Sequence, residues 1–211
     1  MTVGRHRREE DAEFRLLFVC TGNICRSAFA EVLTRHLLNE RLGYGPASAF
    51  VVSSAGVQAV VGSGMHPLTR EMLRPWGGDK LMAADVVARQ LDPTMVERAH
   101  LVLGAGLRHR AASAQAASAA LTTAFTLREF ARLVALVDLS TLPEEPVQRA
   151  HALVEGVRSR RGLAPPVMPH DDEVLDPMGR PPEEHRAATS LISEAVLALL
   201  DALAPPSRIH E

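Results

Sequence analysis

Cys20-Thr21-Gly22-Asn23-Ile24-Cys25-Arg26-Ser27 packs two thiols, a guanidinium and two hydroxyls into eight residues. The apolar run Phe14 to Val19 precedes it and reads as a buried strand, the first of the chain. After it, Phe29, Val32, Leu33, His36 and Leu37 recur at helical spacing within Arg26 to Leu42. A cysteine at a strand end, a short loop and an arginine opening a helix make an anion site. The loop amides and the first helical N–H groups lack backbone partners and can converge on a phosphate-like oxyanion. Gly22 and Asn23 are residue types that accept the left-handed backbone a tight cradle needs. Arg26 can grip two anion oxygens with its planar fork. Cys20, at the floor of this positive site, is then a candidate thiolate nucleophile. The plain alternative, a small core residue at a strand end, explains the cysteine but not the whole string in its strand–loop–helix setting.

The elements that must hold this loop are legible around it. Phe50 to Ser54 reads as a second strand turned by Ala55-Gly56, so the first strand, helix and second strand form a βαβ unit with a parallel sheet. Pro67 to Trp76 predicts a helix stopped by Gly77-Gly78, and Asp92-Pro93 opens a short one. His100 to Gly104 is the third strand, Ala111 to Ala120 is helical by propensity, and Leu121 to Phe125 is the fourth strand. Thr126 and Glu129 have capping-box spacing before Phe130, Leu133 and Val134. Pro182 to Leu203 carries an apolar stripe and forms the last helix. The expected fold is a single three-layer α/β domain over 14–204, a four-stranded parallel sheet flanked by helices, with flexible tails at 1–13 and 205–211.

Bulk properties narrow the function. A formal charge of −2 leaves no basic footprint for nucleic acid, and 4% aromatics leave little to stack on bases. No apolar run approaches membrane-spanning length, and Leu16 to Cys20 is too short for a signal peptide's apolar core, so we read the chain as cytoplasmic, with no membrane or nucleic-acid partner. Both cysteines lie in the loop, which excludes a disulfide framework and a Cys/His zinc site of ordinary spacing.

The octapeptide closely resembles the active-site loop of the low-molecular-weight protein tyrosine phosphatases, Cys-x-Gly-Asn-x-Cys-Arg-Ser, with Ala28 in place of the usual proline. Ser54-Ala55-Gly56, Ala88-Arg89 and Asp176-Pro177 match further stretches of that pattern. The resemblance implies a phosphatase that hydrolyses phosphotyrosine-like aryl phosphate monoesters through a phosphocysteine, without metal or cofactor. Cys20, Arg26 and Asp176 would be catalytic, and Thr21, Gly22, Asn23, Ile24, Cys25 and Ser27 would bind the substrate. Substrates would be phosphoproteins or small phosphate esters. Asp176 would protonate the leaving oxygen and then activate water. Ser27 would donate a hydrogen bond to the Cys20 sulfur, and Asn23 would brace the loop. Cys25 either fills space or, as the resemblance suggests, captures an oxidised Cys20 as a reversible disulfide.

The chain departs from the pattern in two places. Gly104-Ala105-Gly106 stands where the family has a Met-Asp pair, so a carboxylate that braces neighbouring loops is missing. Met178 stands where an aromatic residue usually walls the substrate ring. Several residues carry two readings. His66 is a surface residue flanking a helix or a neighbour of the site. Arg108-His109-Arg110 is a solvated helix start or an attractor for an anionic substrate. The 140–169 segment, longer than in the family pattern, holds an exposed helix over 144–161 with a solvated basic end, or a lip for substrate or partner. His170-Asp171-Asp172-Glu173 resembles a metal site less than it resembles the approach to Asp176. Two rival functions remain: an arsenate reductase using a small external thiol, and a weakly active phosphate-loop module that binds phosphoproteins.

Overall fold

β1 (Phe14–Cys20) alternates its side chains between two apolar layers, and the rest of the chain supplies those layers. In the computed structural model, which describes residues 12–77 and 86–205, the order is β1, α1 (Arg26–Leu42), α2 (Tyr44–Ala47), β2 (Phe50–Gly56), α3 (Pro67–Glu71), α4 (Pro93–Arg98), β3 (Leu101–Gly104), α5 (Leu107–Ala116), α6 (Ala120–Thr123), β4 (Ala124–Thr126), α7 (Leu127–Val134), α8 (Pro146–Arg160) and α9 (Pro182–Leu203). The four strands form one parallel sheet in the order β2-β1-β3-β4. Phe14, Leu16 and Phe18 enter the larger layer with Phe29, Leu33, Phe130, Leu153, Ile192 and Leu199 from the helices. Leu17 and Val19 enter the smaller layer with Val96, Val102 and Ala117. Among the described residues no helix is long and apolar enough to cross a membrane.

The sequence expectations hold for the sheet and need correction at its margins. The second strand continues through Ala55 and Gly56, which pair with Val19 and Cys20 instead of turning away. The fourth strand is only Ala124-Phe125-Thr126, because Leu121 to Thr123 belong to a helical turn with Leu121 largely exposed. The β-branched threonines raise strand propensity, but only three residues find partners on β3. The helix expected over 111–120 lies four residues earlier. Pro67 to Trp76 breaks into α3 and a 3₁₀ turn, Arg74–Trp76, where Pro75 interrupts it and Gly77 closes the turn with a φ of 70°. The Thr126–Glu129 capping box forms as expected. Gly78 and the two chain ends lie outside the described residues.

The helix of the 140–169 segment is packed into the core instead of lying exposed. α8 buries Val147, Ala150, Leu153, Val154 and Val157. Its His151 packs edge-on against Phe14 at 5.2 Å, at the start of β1 and the opposite end from Cys20. Its expected basic end is partly consumed. Arg161 lies over the Phe125 ring at 3.7 Å and donates to Glu129 Oε1 at 3.0 Å and to the Ala124 carbonyl at 2.6 Å.

Candidate active site

The loop after β1 is held from outside by its carbonyls. Val57 N donates to Cys20 O at 2.9 Å, Gln58 N to Thr21 O at 3.0 Å, Val60 N to Gly22 O at 3.0 Å and His66 N to Ile24 O at 2.8 Å. Gly56 permits this approach, since a Cβ there would sit 2.4 Å from Thr21 O. Asn23 takes a φ of 56°, the left-handed conformation expected for a cradle. With carbonyls turned to the 57–66 segment, the loop can present amides to an anion at the mouth of the sheet.

Behind the loop runs a buried polar chain. Cys20 Sγ lies 3.0 Å from Ser27 Oγ and receives the Asn23 backbone N–H at 3.3 Å. Asn23 Nδ2 donates to Ser27 Oγ at 2.9 Å and to Ser54 Oγ at 2.7 Å, and its Oδ1 accepts from Arg89 N at 2.9 Å. Ser54 Oγ donates to Glu31 Oε2 at 2.6 Å, and Arg89 Nε donates to the Ser54 carbonyl at 2.7 Å. Burial pushes the Glu31 carboxyl above its ordinary range, against the Ser54 hydrogen bond and the Arg89 charge. Asn23 and Ser27 therefore stand behind the cavity and brace it, and their side chains are not part of its wall. Glu31 and Arg89 belong to the same brace. A buried glutamate on the inner face of α1 was the available signal for it.

Arg26 is buried and reaches forward to three partners. Nη1 donates to Val174 O at 2.9 Å, and Nη2 donates to Thr21 Oγ1 at 3.1 Å and to Asp176 Oδ2 at 2.5 Å. The segment carrying Asp176 is fastened at each step. Val174 N donates to Ala105 O at 2.8 Å, and the Glu173 carboxylate accepts from Leu107 N at 2.8 Å. Gly104-Ala105-Gly106 carries no carboxylate of its own, and the Glu173 carboxylate fills the space a Cβ on Gly106 would occupy. The other acidic groups of this stretch are spent singly. Asp172 pairs with Arg132 at 2.5 Å, and Asp171 accepts from Met168 N at 3.0 Å. They do not converge as a metal site would.

Cys20, Thr21, Gly22, Ile24, Cys25, Arg26 and Asp176 line one cavity of about 190 Å³ with Gln58, Val60 and Met178. A larger groove, about 730 Å³, lies between Glu71–Trp76 and α9 and holds neither the thiol nor the arginine of the loop. Asp176, with 39% of its side chain exposed, is at the mouth and can meet both bound group and solvent.

Arg108, His109 and Arg110 do not act as one cluster. Arg108 is at the rim, bonded to Thr21 Oγ1 and 3.9 Å from Asp176 Oδ2. Arg110 pairs with Glu129 at 3.0 Å. His109 is wholly buried, not part of a solvated helix start. Its Nε2 accepts from Arg108 Nε at 3.2 Å and lies 3.2 Å from Thr21 Oγ1. Burial, then the charges of Arg26 and Arg108, push its pKa down to about 3, so it is neutral at ordinary pH. Cys25 and Cys20 are free thiols, and burial pushes the Cys25 thiol up to about 11. His66 is not a plain surface residue: its ring stacks on that of His185, 4.8 Å between centroids.

Residues 15–159 match the family described as low molecular weight phosphotyrosine protein phosphatase. The chain belongs to that family. It is a phosphatase, a phosphoric monoester hydrolase, and its substrates are phosphorylated. No curated protein matches the chain. Solved structures of this phosphatase's fold include the low-molecular-weight protein tyrosine phosphatase of T. tengcongensis, 24% identical with a TM-score of 0.61, the match covering 90% of this chain and 99% of that one. The tyrosine phosphatase AmsI of Erwinia amylovora is 19% identical with a TM-score of 0.60, covering 90% and 93%. The YwlE arginine phosphatase of Geobacillus stearothermophilus is 25% identical with a TM-score of 0.57, covering 88% and 90%.

Proposed function

We propose that this phosphatase hydrolyses aryl phosphate monoesters of the phosphotyrosine kind through a phosphocysteine on Cys20. The observation that carries the reading is the single cavity in which thiol, guanidinium and carboxyl meet beneath an apolar lip of Ile24, Val60 and Met178. Thiolate Cys20 attacks phosphorus in line. Arg26 and the loop amides hold the equatorial oxygens, whose charge the transition state spreads. A phosphoryl oxygen on Arg26 Nη2 takes the place of Asp176 Oδ2 there and leaves the carboxyl free to face the departing oxygen. Asp176 gives its proton to that oxygen as the P–O bond breaks and the S–P bond forms. Ionised Asp176 then takes a proton from water as water attacks phosphorus, and the thiolate leaves against the Ser27 and Asn23 donors.

The arginine phosphatase among the related structures raises a second substrate class. The lip favours the aryl ester, since an aromatic ring suits an apolar wall. A phosphoarginine side chain would bring its nitrogens towards Arg108 and Arg26, which repel cationic groups. The test is hydrolysis of an aryl phosphate and of phosphoarginine against pH, with Cys20→Ser and Asp176→Asn beside the wild type. We expect preference for the aryl ester, no turnover in Cys20→Ser, and a loss of about 10²–10⁴-fold in Asp176→Asn, the range for a positioned acid. Reduced wild type that hydrolyses neither ester, or prefers phosphoarginine, overturns the reading. Arsenate reduction with a small thiol would then be measured.

A further inference from the structure

Cys25 lies beside two histidines that come from distant parts of the chain. His66 precedes α3, and His185 lies in the first turn of α9. One ligand atom from each of Cys25, His66 and His185 lies within 4.8 Å of the other two. Cys25 is 3% exposed and His185 is 0% exposed. Thr69 Oγ1 is 2.8 Å from His185 Nδ1, which holds that ring through one nitrogen. His185 Nε2 and His66 Nδ1 are both buried without a hydrogen-bond partner. Buried polar nitrogens are ordinarily paired, so two unpaired ring nitrogens on the histidines beside this thiol point to an occupant that accepts lone pairs.

We propose that Cys25, His66 and His185 form a three-ligand site for a borderline-soft divalent cation of the Zn²⁺ type, and that its occupancy lowers phosphatase turnover. One thiolate and two imidazoles are a zinc donor set, with a fourth position left open. Zn–S of about 2.3 Å and Zn–N of about 2.0 Å set tetrahedral ligand separations near 3.5 Å, so the donors must close by roughly 1 Å and the stacked rings must turn apart. Thr69 supplies the outer partner that ligating histidines ordinarily have, accepting the His185 Nδ1 proton while Nε2 binds. The Cys25 thiol gives its proton to solvent as the S–Zn bond forms, and no electron is transferred. The site sits against the catalytic loop through Cys25 and the His66 N–H bond to Ile24 O at 2.8 Å. The Asp176 charge acts on His185 from the acid segment, so a cation there competes with Arg26 for Asp176. The spacing of the two cysteines hid the site, because its histidines lie 41 and 160 residues along the chain from Cys25.

Binding does not depend on the proposed mechanism, whereas inhibition rests on Asp176 as the acid. The two are therefore tested apart, on the full chain. Co²⁺ is titrated into Cys20→Ser, which lacks the other thiol, and thiolate-to-cobalt absorption is followed. We expect one Co²⁺ per chain, displaced by Zn²⁺, with affinity at least about tenfold weaker after adding His66→Gln, and no thiolate absorption after adding Cys25→Ser. The half-buried His66 is the milder substitution, and far-ultraviolet circular dichroism checks its fold. Absence of the band in Cys20→Ser, or equal affinity in Cys20→Ser/His66→Gln, overturns the site. In activity assays Zn²⁺ should inhibit wild type, reversibly with chelator, at concentrations at least about tenfold below those for His66→Gln. Equal inhibition of both assigns the effect to Cys20 and overturns the regulatory claim.

Discussion

Ser27 Oγ accepts from Asn23 Nδ2, so its own proton is free to point at Cys20 Sγ, 3.0 Å away, in preference to the Ala55 carbonyl at 3.5 Å. A hydrogen bond to a charged group contributes about 1.5–3 kcal/mol, and its value here is greatest when the thiolate departs from phosphorus. Ser27→Ala should therefore lower kcat by about 10–100-fold with KM little changed. Stopped-flow should show a burst of aryl product before slow turnover, and kcat equal to wild type would remove the serine from the mechanism. His109 carries a different prediction. Its pKa falls from 6.5 to about 3 on folding, so between those values the unfolded chain binds more protons than the folded one. Its contribution to stability is complete above pH 6.5 and is lost as pH falls towards about 3. Urea unfolding across that window should show a shallower loss in His109→Gln than in wild type, and parallel slopes would contradict the assignment.

The acid segment is held to the sheet by a carboxylate and a glycine that fit one another. A Cβ on Gly106 would lie 1.8 Å from Glu173 Oε2, so Gly106→Ala must expel the carboxylate from Leu107 N and shift the segment that presents Asp176. Overpacking of this kind costs about 1–3 kcal/mol, and the displaced acid should reduce kcat as well. Glu173→Ala breaks the same contact from the other side. The double variant should accordingly lose little more than either single one, a non-additivity that a double-mutant cycle in denaturant and in kcat can read. Fully additive losses would show that the two residues act independently. The fastening of α5 to the acid segment also explains why Arg108 reaches Thr21 while His109 is buried, since Leu107 opens that helix directly under Glu173.

Across the molecule, what could be read in the sequence was what repeats locally. The Cys20–Ser27 string, the apolar run of β1 and the stripe on α9 depend on neighbours a few residues apart, and each stands where that local pattern placed it. Partners from remote segments were not legible. Glu173 filling the space beside Gly106 and Arg161 covering Phe125 are long-range choices without a local pattern. α8 shows the same limit, since its amphipathic spacing announced a helix but not which layer it fills. This helix also separates stability from chemistry. Leu153 is wholly buried in the main core, two residues from the His151 that meets Phe14. β1 then runs six residue steps, about 20 Å at the usual rise, before it reaches Cys20. Leu153→Ala removes core contacts at a cost of about 2–5 kcal/mol, yet leaves the loop carbonyl bonds, the Arg26 partners and the acid segment untouched. We expect a clear drop in the denaturant midpoint with kcat/KM unchanged at temperatures where the variant remains folded. A matching fall in kcat/KM would mean that the catalytic loop depends on packing at the far end of the sheet, and that α8 tunes catalysis as well as holding the core together.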